Sequence, residues 1–391
     1  MKRYIITIMI VLIANVSFSQ DFFDALRYSQ TNYEGSARST AMGSAFGALG
    51  GDFISASINP AGLGFYRTGE FTISPTLNIN NCESSYLGTS NTDNKYRFNF
   101  NNINYVGAVN TGAETGIVGF SFGIGYNRLK NFHSNIAITG KNAETSLLNY
   151  YTDWANKIGD YSKFDKQYED LAWQTYLINH NEDAAEGSQF YNELGTKPHT
   201  QKSFISRSGR IDEYLLSMGF NVNHKFFFGA SMGILDLEFN ERTSFSELDE
   251  NNLCVDFKDY TQTSTLNHSG VGINFKTGVI YRPFKSLRVG IAVHTPNFYT
   301  ISCSEDKELV ANFDQPVGDN LNGTKTQWTQ HPEQSYYEFQ FESPFKAIIS
   351  AAYSFGDKGL LSADYEYSNY ASAKFRDITN YEYDYSTKNS D

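Results

Sequence analysis

Seven histidines, His133, His180, His199, His224, His268, His294 and His331, are the side chains best suited to proton transfer or metal ligation, and their spacing supports neither. No H-E-x-x-H pair, no G-x-S-x-G elbow and no clustered carboxylate spacing accompanies them. A barrel-borne lipid hydrolase would need a Ser and a His placed together on the outside of the wall. His294 falls opposite the apolar face of its segment and reads as a polar residue lining a lumen. Exposed His or Tyr could ligate haem iron, yet the abundance of Tyr, 27 residues, has a simpler source in interfacial girdles. Cys82, Cys254 and Cys303 are too few and too scattered for a zinc ribbon or a disulfide framework. The expectation is a non-enzyme with no catalytic set, no metal site and no cofactor.

Two other groups of residues could carry function without bond chemistry. The first is a run of small residues from Ala41 to Asp52, with Gly43, Gly47, Gly50, Gly51 and Asp52, followed by Asn59, Pro60 and Ala61. Small side chains at this density let backbone pack on backbone in a confined space. Asn59 can bond neighbouring backbone while Pro60 fixes a turn, so the tripeptide also suits a purely structural junction. The second is an apolar set on a helical pattern, Leu147, Leu148, Tyr151 and Trp154, with Tyr168 and Leu171 on a following one. These side chains could form a greasy groove or simply hold their own helices together; both readings stay open.

The elements that must position these residues are strands. From Glu70 the chain alternates, Phe71, Ile73, Pro75, Leu77 and Ile79 facing one way and Thr72, Ser74, Thr76 and Asn78 the other. The design recurs at Val118–Tyr126, Tyr214–Val222, Val271–Tyr281, Leu287–Val293, Tyr337–Phe341 and Ala363–Tyr367, with Gly and Ser prominent on the second face. With weaker runs included, about twelve strands are expected. Pro75, inside the first strand, lacks an N–H and should leave a bulge or weak point in the wall. Residues 142 to 181 read as helix, 181 to 209 as irregular, and about 306 to 334 as a further polar excursion.

Length and charge narrow the class. The 391 residues carry 31 basic and 43 acidic side chains, a net charge of −12, with no Lys/Arg-rich run, which excludes nucleic acid as a partner. Met1-Lys2-Arg3, an apolar run to Ala14 and Ser17-Phe18-Ser19 form a leader to be cleaved near Gln20, so the expected domains are a signal peptide over 1–19, a segment over 20–69 and a strand-built wall over 70–391. No later stretch reaches the roughly 18 apolar residues of a membrane helix. Strands of about 10 residues with one greasy side, in an exported chain, point to an all-β antiparallel transmembrane barrel; a secreted sandwich or propeller is the structural rival.

The small-residue run with Asp52 and Asn59-Pro60-Ala61, the block Gly270–Pro283 with Leu287–Pro296, and Ser343-Pro344-Phe345 onward to Asp364-Tyr365 together resemble the FadL/TodX family of outer-membrane transporters for hydrophobic compounds, in its Bacteroidetes form. The likeness covers nearly the whole mature chain. It implies a monomeric barrel of fourteen strands in outer-membrane lipid, its lumen plugged by an N-terminal hatch over 20–69. A helical extracellular insertion at about 142–209 would capture a long-chain fatty acid or aromatic compound, and hatch movement would open an exit through the wall or towards the periplasm. The terminal residues Tyr383 to Asp391 look like the interior of a loop, so C-terminal strands of the family pattern are expected to be missing from this sequence. An adhesive or structural barrel is disfavoured, since a barrel needing no gate needs no plug.

Overall fold

The computed structural model describes residues 22–185, 187–319 and 322–377. The leader and the terminal residues Tyr383 to Asp391 fall outside the described residues. The N-terminal part is short and irregular: helix α1 (Phe22–Ser29), a single turn α2 (Ala37–Ala41), a second turn α3 (Ser55–Ile58) and a 3₁₀ turn over Pro60–Phe65. Ser36 caps α2 by accepting from the Ser39 N–H at 3.1 Å. Asn59 does the same for the 3₁₀ turn, accepting from Ala61 N–H at 3.2 Å, and Pro60 at the first position has no N–H to leave unpaired.

From Glu70 the chain is almost all strand. In order come β1 (Glu70–Tyr86), β2 (Thr89–Asn110), β3 (Ile117–Asn131) and β4 (Ser134–Ala143). Helices α4 (Leu147–Ile158) and α5 (Glu169–Gln174) follow, with the two-residue strands β5 (Asn179–His180) and β6 (Phe190–Tyr191). The long strands β7 (His199–Val222), β8 (Phe226–Leu248) and β9 (Phe257–Tyr281) come next, then β10 (Leu287–His294) and β11 (Phe298–Asp319). The last described strands are β12 (Gly323–Gln330), β13 (Ser335–Glu342), β14 (Lys346–Ser354), β15 (Leu360–Ser368) and β16 (Lys374–Asp377).

All but β5 and β6 join one antiparallel sheet of 14 strands, curled like a barrel, whose main path runs β1-β2-β3-β7-β8-β9-β10-β14-β15. The count exceeds the expected dozen because β11, β12 and β16 fall where no alternating run was read. Thr295-Pro296-Asn297 separates β10 from β11, and Ser343-Pro344-Phe345 separates β13 from β14; proline cannot donate to the ladder at either break. The breaks lie side by side, the Ser343 N–H donating to the Asn297 carbonyl at 3.0 Å.

Three sequence expectations are corrected here. Residues 199–209 are not irregular but form the first half of β7, and the excursion over 306–334 is mostly β11 and β12. Both stretches stand beyond the apolar zone of the sheet. Polar side chains suit both faces there, and the period-two hydrophobic signal disappears although the backbone ladder continues. The helical stretch over 142–181 is likewise shorter than its pattern, since β4 runs to Ala143 and a 3₁₀ turn (Tyr161–Lys163) interrupts α4 and α5.

One rim of the sheet carries short turns, residues 111–116, 223–225, 282–286 and 355–359, and the opposite rim carries the helical insertion. Near the short-turn rim the outer face is a band of exposed apolar side chains, among them Phe71 (67%), Ile124 (59%), Leu216 (55%), Val271 (62%), Ile291 (59%) and Ile349 (60%). Aromatics edge it: Tyr126 and Tyr214 on one side, 5.6 Å apart, and Phe226 stacked on Tyr281 at 4.8 Å on the other. The buried core sits inside, between the wall and residues 22–65, and a second core fills the insertion.

Candidate functional site

The seat of the Asn59-Pro60-Ala61 tripeptide is a row of small residues running across the sheet. Register pairs Ala108 with Ser121, Ser121 with Gly219, Gly219 with Gly229, Gly229 with Gly278 and Gly278 with Ala292, so adjacent strands from β2 to β10 present almost no side chain at one level. A Cβ at Gly229 would lie 2.1 Å from the Pro60 carbonyl carbon, and one at Gly278 2.0 Å from Asn59 Oδ1. Ser121 Oγ donates to the Leu63 carbonyl at 2.6 Å, and Asn59 Nδ2 donates to the Gly47 carbonyl at 2.6 Å. Backbone thus lies directly on backbone, which only side-chain-free positions allow. Alternating Gly on the second face of each strand was the available signal; that these positions form a single row needed the register.

The other sequence candidates in this region occupy fixed places. Gly47 N–H donates to Asp364 Oδ2 at 2.9 Å, and a Cβ on Gly47 would meet Ser350. Gly50 has φ +64°, a left-handed turn that a side chain would strain. Gly51 accepts from Arg38 through its carbonyl, while Gly43 ends α2 in open space. Asp52 is buried and accepts from Ser36 Oγ at 2.5 Å and Ile54 N–H at 3.1 Å, with Arg38 Nε at 3.4 Å. It organises the turn into α3. His294, read as lining a lumen, is buried and donates from Nε2 to the Ile58 carbonyl at 2.7 Å.

A buried polar network that sequence reasoning missed ties α3 to the wall. Ser57 Oγ donates to Glu213 Oε2 at 2.7 Å and accepts from Asn127 Nδ2 at 2.8 Å. Glu213 also pairs with Lys276 and accepts from Asn274 Nδ2 at 2.9 Å. All of these side chains are buried. The clue in the sequence was a charge on the small-residue face of two otherwise alternating strands, Glu213 beside Tyr214 and Lys276 beside Phe275.

Next to this network the wall opens. The β2–β3 ladder runs only from Asn102↔Asn127 to Asn110↔Gly119. Farther from the short-turn rim β2 pairs with β1 alone, and β4 pairs with β7. The divergence starts where Ser74 pairs with Asn102 but Pro75 with Phe100, leaving Asn101 with no residue opposite it on β1. Pro75 therefore marks a bulge, as its missing N–H predicts. Tyr126 Oη spans the gap, donating to the Phe100 carbonyl at 3.0 Å, and its ring flanks a cavity of about 920 Å³. Phe98, Phe100, Ile103, Ile124, Tyr214, Leu216, Met232 and Ile234 line the cavity together with Arg97, Arg128, Arg210 and Asp212. Behind the opening Glu34 forms a backbone bridge with Arg128.

In the insertion, Leu148, Tyr151 and Leu171 are buried in its own core with Phe164, Phe190 and Phe257, whereas Trp154 and Tyr168 are exposed and Leu147 is half-buried. Lys157 lies over the Trp154 ring at 4.7 Å and Lys307 over the Tyr168 ring at 4.2 Å. The candidate groove residues thus divide into core and surface. At the N-terminus of α4, Glu247 accepts from Ser146 Oγ at 2.5 Å, Leu147 N–H at 3.2 Å, Gln201 Nε2 at 2.7 Å, Tyr260 Oη at 2.8 Å and His199 Nε2 at 3.3 Å. Burial alone would raise this carboxyl, but the hydrogen bonds from His199, Ser146, Gln201 and Tyr260 hold it below its usual value. Burial likewise opposes charge on His199; its bonds to Glu247 and to the Lys197 carbonyl at 2.8 Å prevail and raise it. Both ring nitrogens donate, as an imidazolium requires.

Among the described residues no group of three or more His, Cys, Asp or Glu side chains is placed to hold a metal ion. No family model and no curated protein matches the chain. Among solved structures it is similar to the TodX deltaS2S3 mutant monoaromatic hydrocarbon channel, at 12% identity and a TM-score of 0.45 over 89% of this chain and 74% of that one. It is also similar to the CymD monoaromatic hydrocarbon channel, at 12% identity and a TM-score of 0.42 over 88% and 72%. A third is the Pseudomonas putida toluene transporter TodX, at 10% identity and a TM-score of 0.38 over 85% and 71%. Superpositions this loose identify no ligand.

Proposed function

We propose that the chain is an outer-membrane channel for hydrophobic small molecules, with residues 22–65 acting as the hatch that gates it. The observation that carries this reading is the wall opening between β2 and β3, lined by apolar side chains at the edge of the apolar band and backed by the N-terminal segment. A sheet with an outward apolar band and aromatic edges suits lipid, where backbone groups must be paired within the sheet. A molecule leaving water for such a path gains about 0.8 kcal/mol per CH₂. The exposed aromatics Trp154 and Tyr168 offer a first contact on the outer rim, and the Ser57 network holds the hatch closed against the base of the opening.

Tethering tests the gate. With the native cysteines replaced, a Ser57→Cys/Asn127→Cys pair joins hatch to wall where the two side chains now meet at 2.8 Å. Cells producing it should take up a neutral aromatic dye under reducing conditions and stop when oxidised. Equal uptake in both states removes the hatch from the mechanism. Loss of the boiling-dependent gel shift expected of a lipid-embedded barrel would remove the channel altogether.

A further inference from the structure

Beyond the apolar band, the outer face of β8, β9, β11 and β13 carries two polar rows that passage through the wall does not use. Register sets Glu238, Ser269, Ser302 and Glu338 side by side at one level, and Asn240, Asn267, Ser304 and Tyr336 at the next. Their chain neighbours Phe239, His268, Cys303 and Phe339 are buried inside, so both rows face outward. Short side chains stand in the middle of each row and longer ones at the ends, which leaves a trough of about 330 Å³. Its polar groups fall into two sets. Glu338 accepts from Tyr336 Oη at 2.6 Å and Ser302 Oγ at 2.8 Å, while Glu238 accepts from Asn240 Nδ2 at 3.2 Å and pairs with Arg210 at 2.6 Å. On the floor, Asn267, Ser269 and Ser304 make no side-chain hydrogen bond among the described residues, and each offers both donor and acceptor. The Tyr336 ring is 67% exposed beside them.

We infer that this trough binds the neutral sugar head of an outer-leaflet glycolipid, with sugar hydroxyls on Asn267, Ser269 and Ser304 and one ring face on Tyr336. A sugar has the matching make-up: its hydroxyls both donate and accept, and its C–H face is apolar enough to lie on an aromatic ring. A phosphate head would meet Glu238 and Glu338 with no Lys or Arg in the lining to offset them among the described residues. The volume lies at the lower end of the roughly 300–1,000 Å³ of small-molecule sites, which suits a mono- or disaccharide. Position selects a tethered sugar over a free one. The nearer row stands two residues past the exposed Val271, about 7 Å along the strand, and the headgroup layer reaches about 5–8 Å beyond the hydrocarbon. The trough thus opens where the sugar of a lipid would stand. This placement rests on the wall spanning the outer membrane with its short turns periplasmic, and not on what passes through it. Exchanging water for a protein hydrogen bond nets only about 1 kcal/mol, so the free face of Tyr336 is what separates this trough from any other wet polar surface.

The experiment measures binding of digalactosyldiacylglycerol to the full chain in phosphatidylglycerol nanodiscs by native mass spectrometry, with dioleoylglycerol as the headless control. The unaltered protein should prefer the glycolipid about tenfold or more. Tyr336→Ala should remove most of that preference, Tyr336→Phe should keep most of it, and Asn267→Ala/Ser304→Ala should lower it several-fold, all with an ordinary boiling-dependent gel shift. No preference in the unaltered protein, or one that Tyr336→Ala leaves unchanged, overturns the inference while leaving the channel intact. Equally tight binding of the free disaccharide overturns the membrane source. If phosphatidylethanolamine displaces the glycolipid, the carboxylates hold an ammonium and the proposal falls. A protein with no gel shift that enters no nanodisc removes the barrel on which the trough stands.

Discussion

Ser57 on the N-terminal segment donates its hydroxyl to the Glu213 carboxylate on β7 at 2.7 Å, and the same hydroxyl accepts from Asn127 on β3. One side chain thus joins the segment to two neighbouring strands of the wall, of which β3 borders the opening. Glu213 is itself held by Lys276 and Asn274. Ser57→Ala should remove one charge-assisted hydrogen bond, worth about 1.5–3 kcal/mol, and speed dye uptake without loss of the barrel. Glu213→Ala leaves Lys276 buried and unpaired and should cost about 3–5 kcal/mol, visible as a lower midpoint of thermal unfolding. A Ser57→Ala protein with ordinary uptake and ordinary protease resistance of residues 22–65 would show that this bond holds nothing.

The glycine row makes a sharper steric prediction. Gly278→Ala puts a methyl group 2.0 Å from Asn59 Oδ1, so the tripeptide must lift from its seat. Overpacking of this kind costs about 1–3 kcal/mol. Protease nicking of the N-terminal segment should increase several-fold, and Gly88→Ala, at a strand-joining turn with nothing near it, should leave nicking unchanged. Comparable nicking in both variants would deny the row its role.

The anchor of the insertion depends on pH. His199 is raised above its usual 6.5, so its contribution is complete below 6.5 and lost as pH rises through its folded value. Glu247 is lowered from 4.5, so its contribution is complete above 4.5 and lost as pH falls through its folded value. The insertion should therefore be most stable between about pH 4.5 and 6.5. Trp154, Trp173 and Trp328 all lie in or against it, so a thermal melt followed by tryptophan fluorescence reports this region. His199→Gln should flatten the alkaline side of the profile, and a profile unaltered by that change would assign the dependence elsewhere.

Trp154 and Leu171 should behave differently although both were candidates for the same groove. Leu171 is fully buried, and Leu171→Asp should unfold the insertion at a cost of several kcal/mol. Trp154 is 42% exposed, so Trp154→Ala should keep the fold and weaken capture of an apolar dye several-fold. Unaltered capture by a folded Trp154→Ala protein would remove the insertion from the path.

The strands of the apolar band, from Phe71 to Ile79, Val118 to Tyr126 and Val271 to Tyr281, were legible in the sequence because one face meets apolar surroundings and the other does not. The weak point at Pro75 followed from a missing N–H, and the tight packing of Asn59-Pro60-Ala61 from side-chain size. These properties belong to single residues and their nearest neighbours in the chain. What only the tertiary structure decided depends on register between distant strands. The row Gly219-Gly229-Gly278, the meeting of Ser57 with Glu213 and the end of the β2–β3 ladder at Asn102 are set by which residues stand opposite one another. A shift of one residue would turn every one of those side chains to the other face, and nothing local to any of them specifies the alignment.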